Sequence, residues 1–148
     1  MSAPGQRPDP AASPPAVGVA AGVLVLGSFA AYANSFGGPF VFDDVPTIVE
    51  NASIRHLWPL TDVLAPQSAG GLTVSGRPVV NLSLALNHAV GGLHVGGYHA
   101  VNLLIHVLAG LGPFGIVRRT LRLPALAGRF GPAALSLALA VAAAWTLH

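Results

Sequence analysis

Three long apolar runs constrain this chain more than any other feature. From Ala16 to Ala33 the sequence AVGVAAGVLVLGSFAAYA carries no charged residue, and as a helix it would reach about 27 Å, close to the hydrocarbon thickness of a bilayer. A second run, Tyr98 to Val117, is interrupted by Asn102, His106 and Pro113, and a third, Phe130 to Leu147, is again uncharged. Gly and Pro are compatible with such runs, because neighbouring helices re-satisfy the freed backbone groups. Composition agrees: 53% of the 148 residues are hydrophobic and 8% charged, where a soluble domain carries about a quarter charged. The expected fold is an all-α membrane protein with about three transmembrane helices and a long extracytoplasmic loop.

The Pro-, Ala- and Ser-rich residues 1–15 are expected to form a disordered cytoplasmic tail. Spans then follow at 16–33, 98–117 and 130–148, separated by an extracytoplasmic loop at 34–97 and a basic cytoplasmic loop at 118–129. Orientation comes from the arginines. Arg118, Arg119, Arg122 and Arg129 crowd the short link, whereas the long loop has Arg55 and Arg77 alone, so the positive-inside rule places the link and the amino terminus, with Arg7, in the cytoplasm. Ala31-Tyr32-Ala33 also fits a leader-cleavage site, which would make the first span removable. Either reading leaves the loop outside. Seven arginines without lysine, in an Ala-, Gly- and Pro-rich chain, suggest a bacterial inner membrane.

Several function classes drop out. The absence of cysteine removes disulfides, thiolate metal sites and cysteine nucleophiles. The basic residues form a local cluster without interleaved aromatics, so no nucleic acid partner is expected. Neither GxGxxG nor GxxxxGK[ST] occurs, and the six histidines lack ligand spacing, so no cofactor and no metal are expected.

Within the loop, Gly37 to Asn51 reads GGPFVFDDVPTIVEN and holds three of the five acidic residues. Asp44, before Val45-Pro46, is suited to capping a short helix. Alternatively Phe40, Val41 and Phe42 seat the loop on the membrane, and a partly desolvated Asp43 or Asp44 acts as general base. In an extended segment the two carboxylates would point opposite ways, so one alone would reach a given substrate atom. From Arg77 to Leu93, RPVVNLSLALNHAVGGL fits both strand and helix periodicity; an amphipathic helix on the outer membrane surface is expected, since a lone strand would leave its edges unsatisfied. Pro59 to Gly76, with Pro66, Gly70 and Gly71, reads as a flexible loop.

His99, Asn102 and His106 fall on one face of the second span, either as a functional polar face or as interhelical hydrogen-bonding groups. Arg77 could hold a phosphate or an anionic headgroup bidentately, or simply contact membrane lipid. Asn51-Ala52-Ser53 and Asn81-Leu82-Ser83 match the N-glycosylation pattern, read here as coincidence.

PFVFDDVPTIVENASI, RPVVNLSLALNHAVGGL and GYHAVNLLIHVLAGL, in this order, resemble the amino-terminal part of the tetratricopeptide-repeat-containing transmembrane O-mannosyltransferases, within the GT-C group of glycosyltransferases. The likeness runs from about Phe36 to Leu111. Gly76 stands where the family often has an aromatic, and His94-Val95 where it often has a proline. The resemblance implies a partial GT-C fold and transfer of a sugar, most simply mannose, from a polyprenyl-phosphate donor to a hydroxyl of an exported protein acceptor. It implies Asp43 or Asp44 as the base, with Arg77 and His99 on the donor phosphate. Family members are longer, so these residues are expected to be a fragment inactive alone. Two other classes remain open: a small non-catalytic membrane protein that binds lipid or a partner, and a carrier using Asn102 and His106.

Overall fold

A computed structural model describes residues 13–65 and 74–147; most of the expected tail, Arg7, and the glycines and proline at 66–73 lie outside these. Among the described residues every regular element is helical. α1 (Pro14–Tyr32) is followed by a 3-10 turn at Ala33–Gly37, a π-helical turn at Val45–Val49, a 3-10 turn at Ala52–Ile54, α2 (Leu60–Leu64), α3 (Pro78–Gly91), α4 (Val95–Leu121), α5 (Pro124–Phe130), a 3-10 turn at Gly131–Ala133 and α6 (Ala134–Thr146). Three stretches are long and apolar enough to cross a membrane: Pro14–Gly37, Val95–Leu121 and Pro124–Thr146, with mean hydropathy of 1.9, 1.9 and 1.5. The chain is thus an all-α membrane protein.

These helices are longer than the apolar runs alone indicate. Pro14 and Pro15 open α1, where no backbone donor is needed. Residues 118–129 are mostly helical: Arg118 and Arg119 close α4, where cations complement the carbonyl end, and Arg129 lies in α5. Leu123, held extended by the following proline, separates the two helices.

Two compact units are distinguished, one of residues up to 33 and from 103 onward, the other of residues 34–102. In the first, α1 and α6 present stripes of mostly small buried residues, Ala20, Leu24 and Ser28 on one and Ala134, Ala138, Ala142 and Thr146 on the other, the pattern that lets membrane helices approach closely. Phe114 of α4 completes this core. A side chain at Gly110 would collide with the Thr146 hydroxyl, so α4 and α6 also pack at close range.

The second unit is built on Ile48, Ile54, Val63, Ala85 and Tyr98, with Phe40, Leu82 and Leu84 packed around them. Fully buried aliphatics such as Ile54 and Val63 contribute about 2 kcal/mol each. Val63 also explains why Leu60–Leu64 is helical where proline and glycine suggest a loop: one buried anchor holds a single turn against α3. The helix expected within residues 77–93 is α3. It buries Asn81 and Ala85 and turns Val79 (76% exposed), Leu86 (51%) and Val90 (92%) outward along one face. Gly76, just before it, has φ +71°, a conformation that a residue with a bulky side chain would enter only with strain.

Candidate functional site

The paired aspartates sit on a tight turn. Asp44 N–H donates to the Val41 carbonyl (3.0 Å), Val45 N–H to that of Phe42 (3.2 Å), and the Asp44 carboxylate accepts from Val41 N–H (3.2 Å). Asp44 stands at the cap position of the π-helical turn, but its side chain makes no cap hydrogen bond; it reaches back to Val41 instead. The capping expected from sequence is therefore replaced by closure of the preceding turn. Phe42 has φ +47°, an uncommon conformation for a bulky residue and the kind of local strain found at functional positions. The aromatic run divides here. Phe40 packs edge-on against Tyr98 at 5.4 Å, while Phe42 is 92% exposed. Asp43 is exposed and Asp44 half-buried.

What fixes the turn is a buried amide pair. Asn51 Nδ2 donates to the Thr47 carbonyl (3.0 Å) and to Asn81 Oδ1 (2.9 Å), while Asn51 Oδ1 accepts from the Ser53 N–H (3.0 Å) and hydroxyl (2.7 Å). Asn81 Nδ2 donates to Ser53 Oγ (2.9 Å) and to the Val63 carbonyl (2.7 Å). Both asparagines have no exposed surface, and each of their side-chain polar atoms is bonded. Such a satisfied network specifies one arrangement, here joining the turn after Asp43-Asp44 to α2 and α3. Neither asparagine is accessible in this fold to a glycosylating enzyme.

Arg55 adds a second tie. Its Nη2 donates to the carbonyls of Val49 and Ile48 (3.4 Å for the latter), and its Nη1 lies 2.9 Å from His88 Nε2. A guanidinium can only donate, so His88 Nε2 accepts and the ring is neutral. Burial, and then the Arg55 charge, hold the His88 pKa below its ordinary value.

The other expected site residues are distributed. Arg77 is exposed at the amino-terminal end of α3. His99 packs its ring 6.4 Å from Phe36, and its buried Nε2 has no hydrogen-bond partner among the described residues. No hydrogen bond or ion pair among the described residues joins Asp43 or Asp44 to Arg77 or His99. Asn102 is exposed. His106 takes the interhelical option: its Nε2 lies 2.8 Å from the Thr146 carbonyl, which also accepts from Tyr32 Oη (3.3 Å), and the Tyr32 and His106 rings meet edge-on at 5.1 Å. These donors satisfy a helix-end carbonyl that hydrocarbon cannot. The expected polar face thus divides between different surroundings. Among the described residues no three His, Asp or Glu side chains converge.

Asn51, Ser53, Asn81, Arg55 and His88 were not legible as a network. The available signal was Asn51 followed by Ser53, a pairing suited to a local side-chain turn, set among residues that end up buried.

No protein-family model matches the chain, and no solved structure does so significantly. Curated relatives do. The chain is 35% identical over 114 residues to protein O-mannosyl-transferase Tmtc1 of Drosophila melanogaster, a match covering 73% of this chain and 13% of that protein. It is 37% identical over 92 residues to protein O-mannosyl-transferase TMTC4 of Homo sapiens (56% and 12%) and 39% identical over 83 residues to TMTC2 of Mus musculus (52% and 10%). The chain therefore spans about an eighth or less of these relatives' length. Over half to three quarters of its residues, this membrane protein is similar in sequence to the protein O-mannosyl-transferases that its ordered motifs resemble.

Proposed function

We propose that this chain supplies the acceptor-side base of a membrane glycosyltransferase that moves mannose from a polyprenyl-phosphate donor to a protein hydroxyl at the outer membrane face. The observation that carries this reading is the Asp43-Asp44 turn, held by the buried Asn51–Asn81 pair and leaving Asp43 exposed. Asp43 is the base: Asp44 is engaged with Val41 N–H. The acceptor oxygen attacks the anomeric carbon, its proton passes to the Asp43 carboxylate, and the carbon–oxygen bond to phosphate breaks, with the electron pair leaving on the polyprenyl phosphate. Phosphate is already a good leaving group, so positive charge beside it is the remaining need. Arg77 answers that need and His99 offers a hydrogen bond; the unpartnered His99 Nε2 is the supporting observation. The outward Val79, Leu86 and Val90 of α3 support seating of this unit on the membrane surface.

The test is a chimera in which the matching segment of the Drosophila relative is replaced by this chain. It should transfer mannose to a serine- and threonine-containing peptide, and Asp43→Asn should lower the rate by about 100-fold or more. Undiminished transfer by Asp43→Asn would remove the assigned role.

A further inference from the structure

We propose that one end of the α1–α4–α6 bundle binds an anionic glycerophospholipid, with its phosphate on the arginines and an acyl chain in a groove between α1 and α6. The groove, about 310 Å³, is lined chiefly by Ala16, Val19, Val23, Pro132, Leu135 and Leu139. Ser136 also borders it, but its hydroxyl donates to the Ala133 carbonyl at 3.0 Å. The groove therefore offers the chemistry of a hydrocarbon chain.

The arginines lie at the same end. Val117, like Val17 and Leu135, packs against the buried cluster that contains Ala20, so Arg118 and Arg119, next along α4, stand beside the groove's end of the bundle. Arg122 follows in the turn, and Arg129, three residues before Pro132, stacks its guanidinium 5.0 Å over the Phe130 ring. Residues 13–33 and 103–147 contain no aspartate or glutamate. Among the described residues of their own unit, four cations at one end of a membrane bundle thus have no carboxylate to supply counter-charge. A headgroup phosphate supplies it in the forked geometry that guanidinium favours. A free anion would leave the groove unfilled, and an apolar helix would leave the arginines unmatched; a lipid meets both.

The test uses the whole chain in a non-ionic detergent, titrated with phosphatidylglycerol or phosphatidylcholine of identical acyl chains and followed by native mass spectrometry. Phosphatidylglycerol should bind at least about tenfold more tightly, and the pair Arg118→Gln and Arg129→Gln should weaken it by about thirtyfold. Val19→Trp, which fills the groove from an exposed position, should weaken it by about tenfold, and Val23→Phe in the same direction if the tryptophan variant loses helical circular dichroism. Equal affinity for the two lipids would overturn the proposal. So would full displacement by inorganic phosphate, unchanged affinity in the groove variants, or a second copy of the chain excluding lipid.

Discussion

Asn51 and Asn81 bear most directly on the site, because the carbonyl of Thr47, one turn beyond Asp43, is held by the Asn51 amide. Asn81→Leu keeps roughly the volume but takes one partner each from the Asn51 amide, the Ser53 hydroxyl and the Val63 carbonyl. It should destabilise the protein by about 3 kcal/mol, read as a lowered melting temperature in detergent; replacing both asparagines by leucine should cost less than the sum of the single changes. His88 makes stability depend on pH. Its pKa is depressed in the fold, so the unfolded chain binds more protons just below the ordinary value of 6.5. The contribution is therefore present above pH 6.5 and lost as pH falls through the folded value. Melting temperature should drop between pH 7.5 and 5.5, and His88→Gln should reduce that drop. The residues of this network look unremarkable in sequence, since nothing local shows that Asn81 will meet a residue 30 positions earlier.

At the scale of elements, hydropathy carries much of the information, and local contacts carry the rest. The three spans were visible as apolar runs, but their ends were not, because Pro14-Pro15 and Arg118-Arg119 fit helix termini better than they fit tails or loops. α3 was ambiguous between periods until Asn81 and Ala85 found a core to face. α2 was missed because a single buried residue, Val63, sustains it. Close packing of α4 on α6 rests on Gly110, so Gly110→Leu should push the helices apart and cost about 2 kcal/mol or more, detectable as loss of a Cys–Cys crosslink engineered between them. His106→Leu should cost about 1 kcal/mol, since Tyr32 still serves the Thr146 carbonyl.

For the whole molecule, the class of fold and the family likeness followed from apolar run length and from motifs kept in order, and relatives at 32 to 39% identity support that likeness. Chemistry was less legible. Sequence marks Asp43 and Asp44 as unusual in an apolar chain, but the difference in their surroundings appears only in the structure, where Asp44 closes on Val41 and Asp43 stays exposed. The direct measurement is mannose transfer from polyprenyl-phosphate mannose to a peptide by the chimera carrying this chain, comparing the parent with Asp43→Asn and with Asp44→Asn. An active parent, loss of about 100-fold or more in Asp43→Asn and a smaller loss in Asp44→Asn are expected. An inactive parent, or full activity in Asp43→Asn, would contradict the assignment.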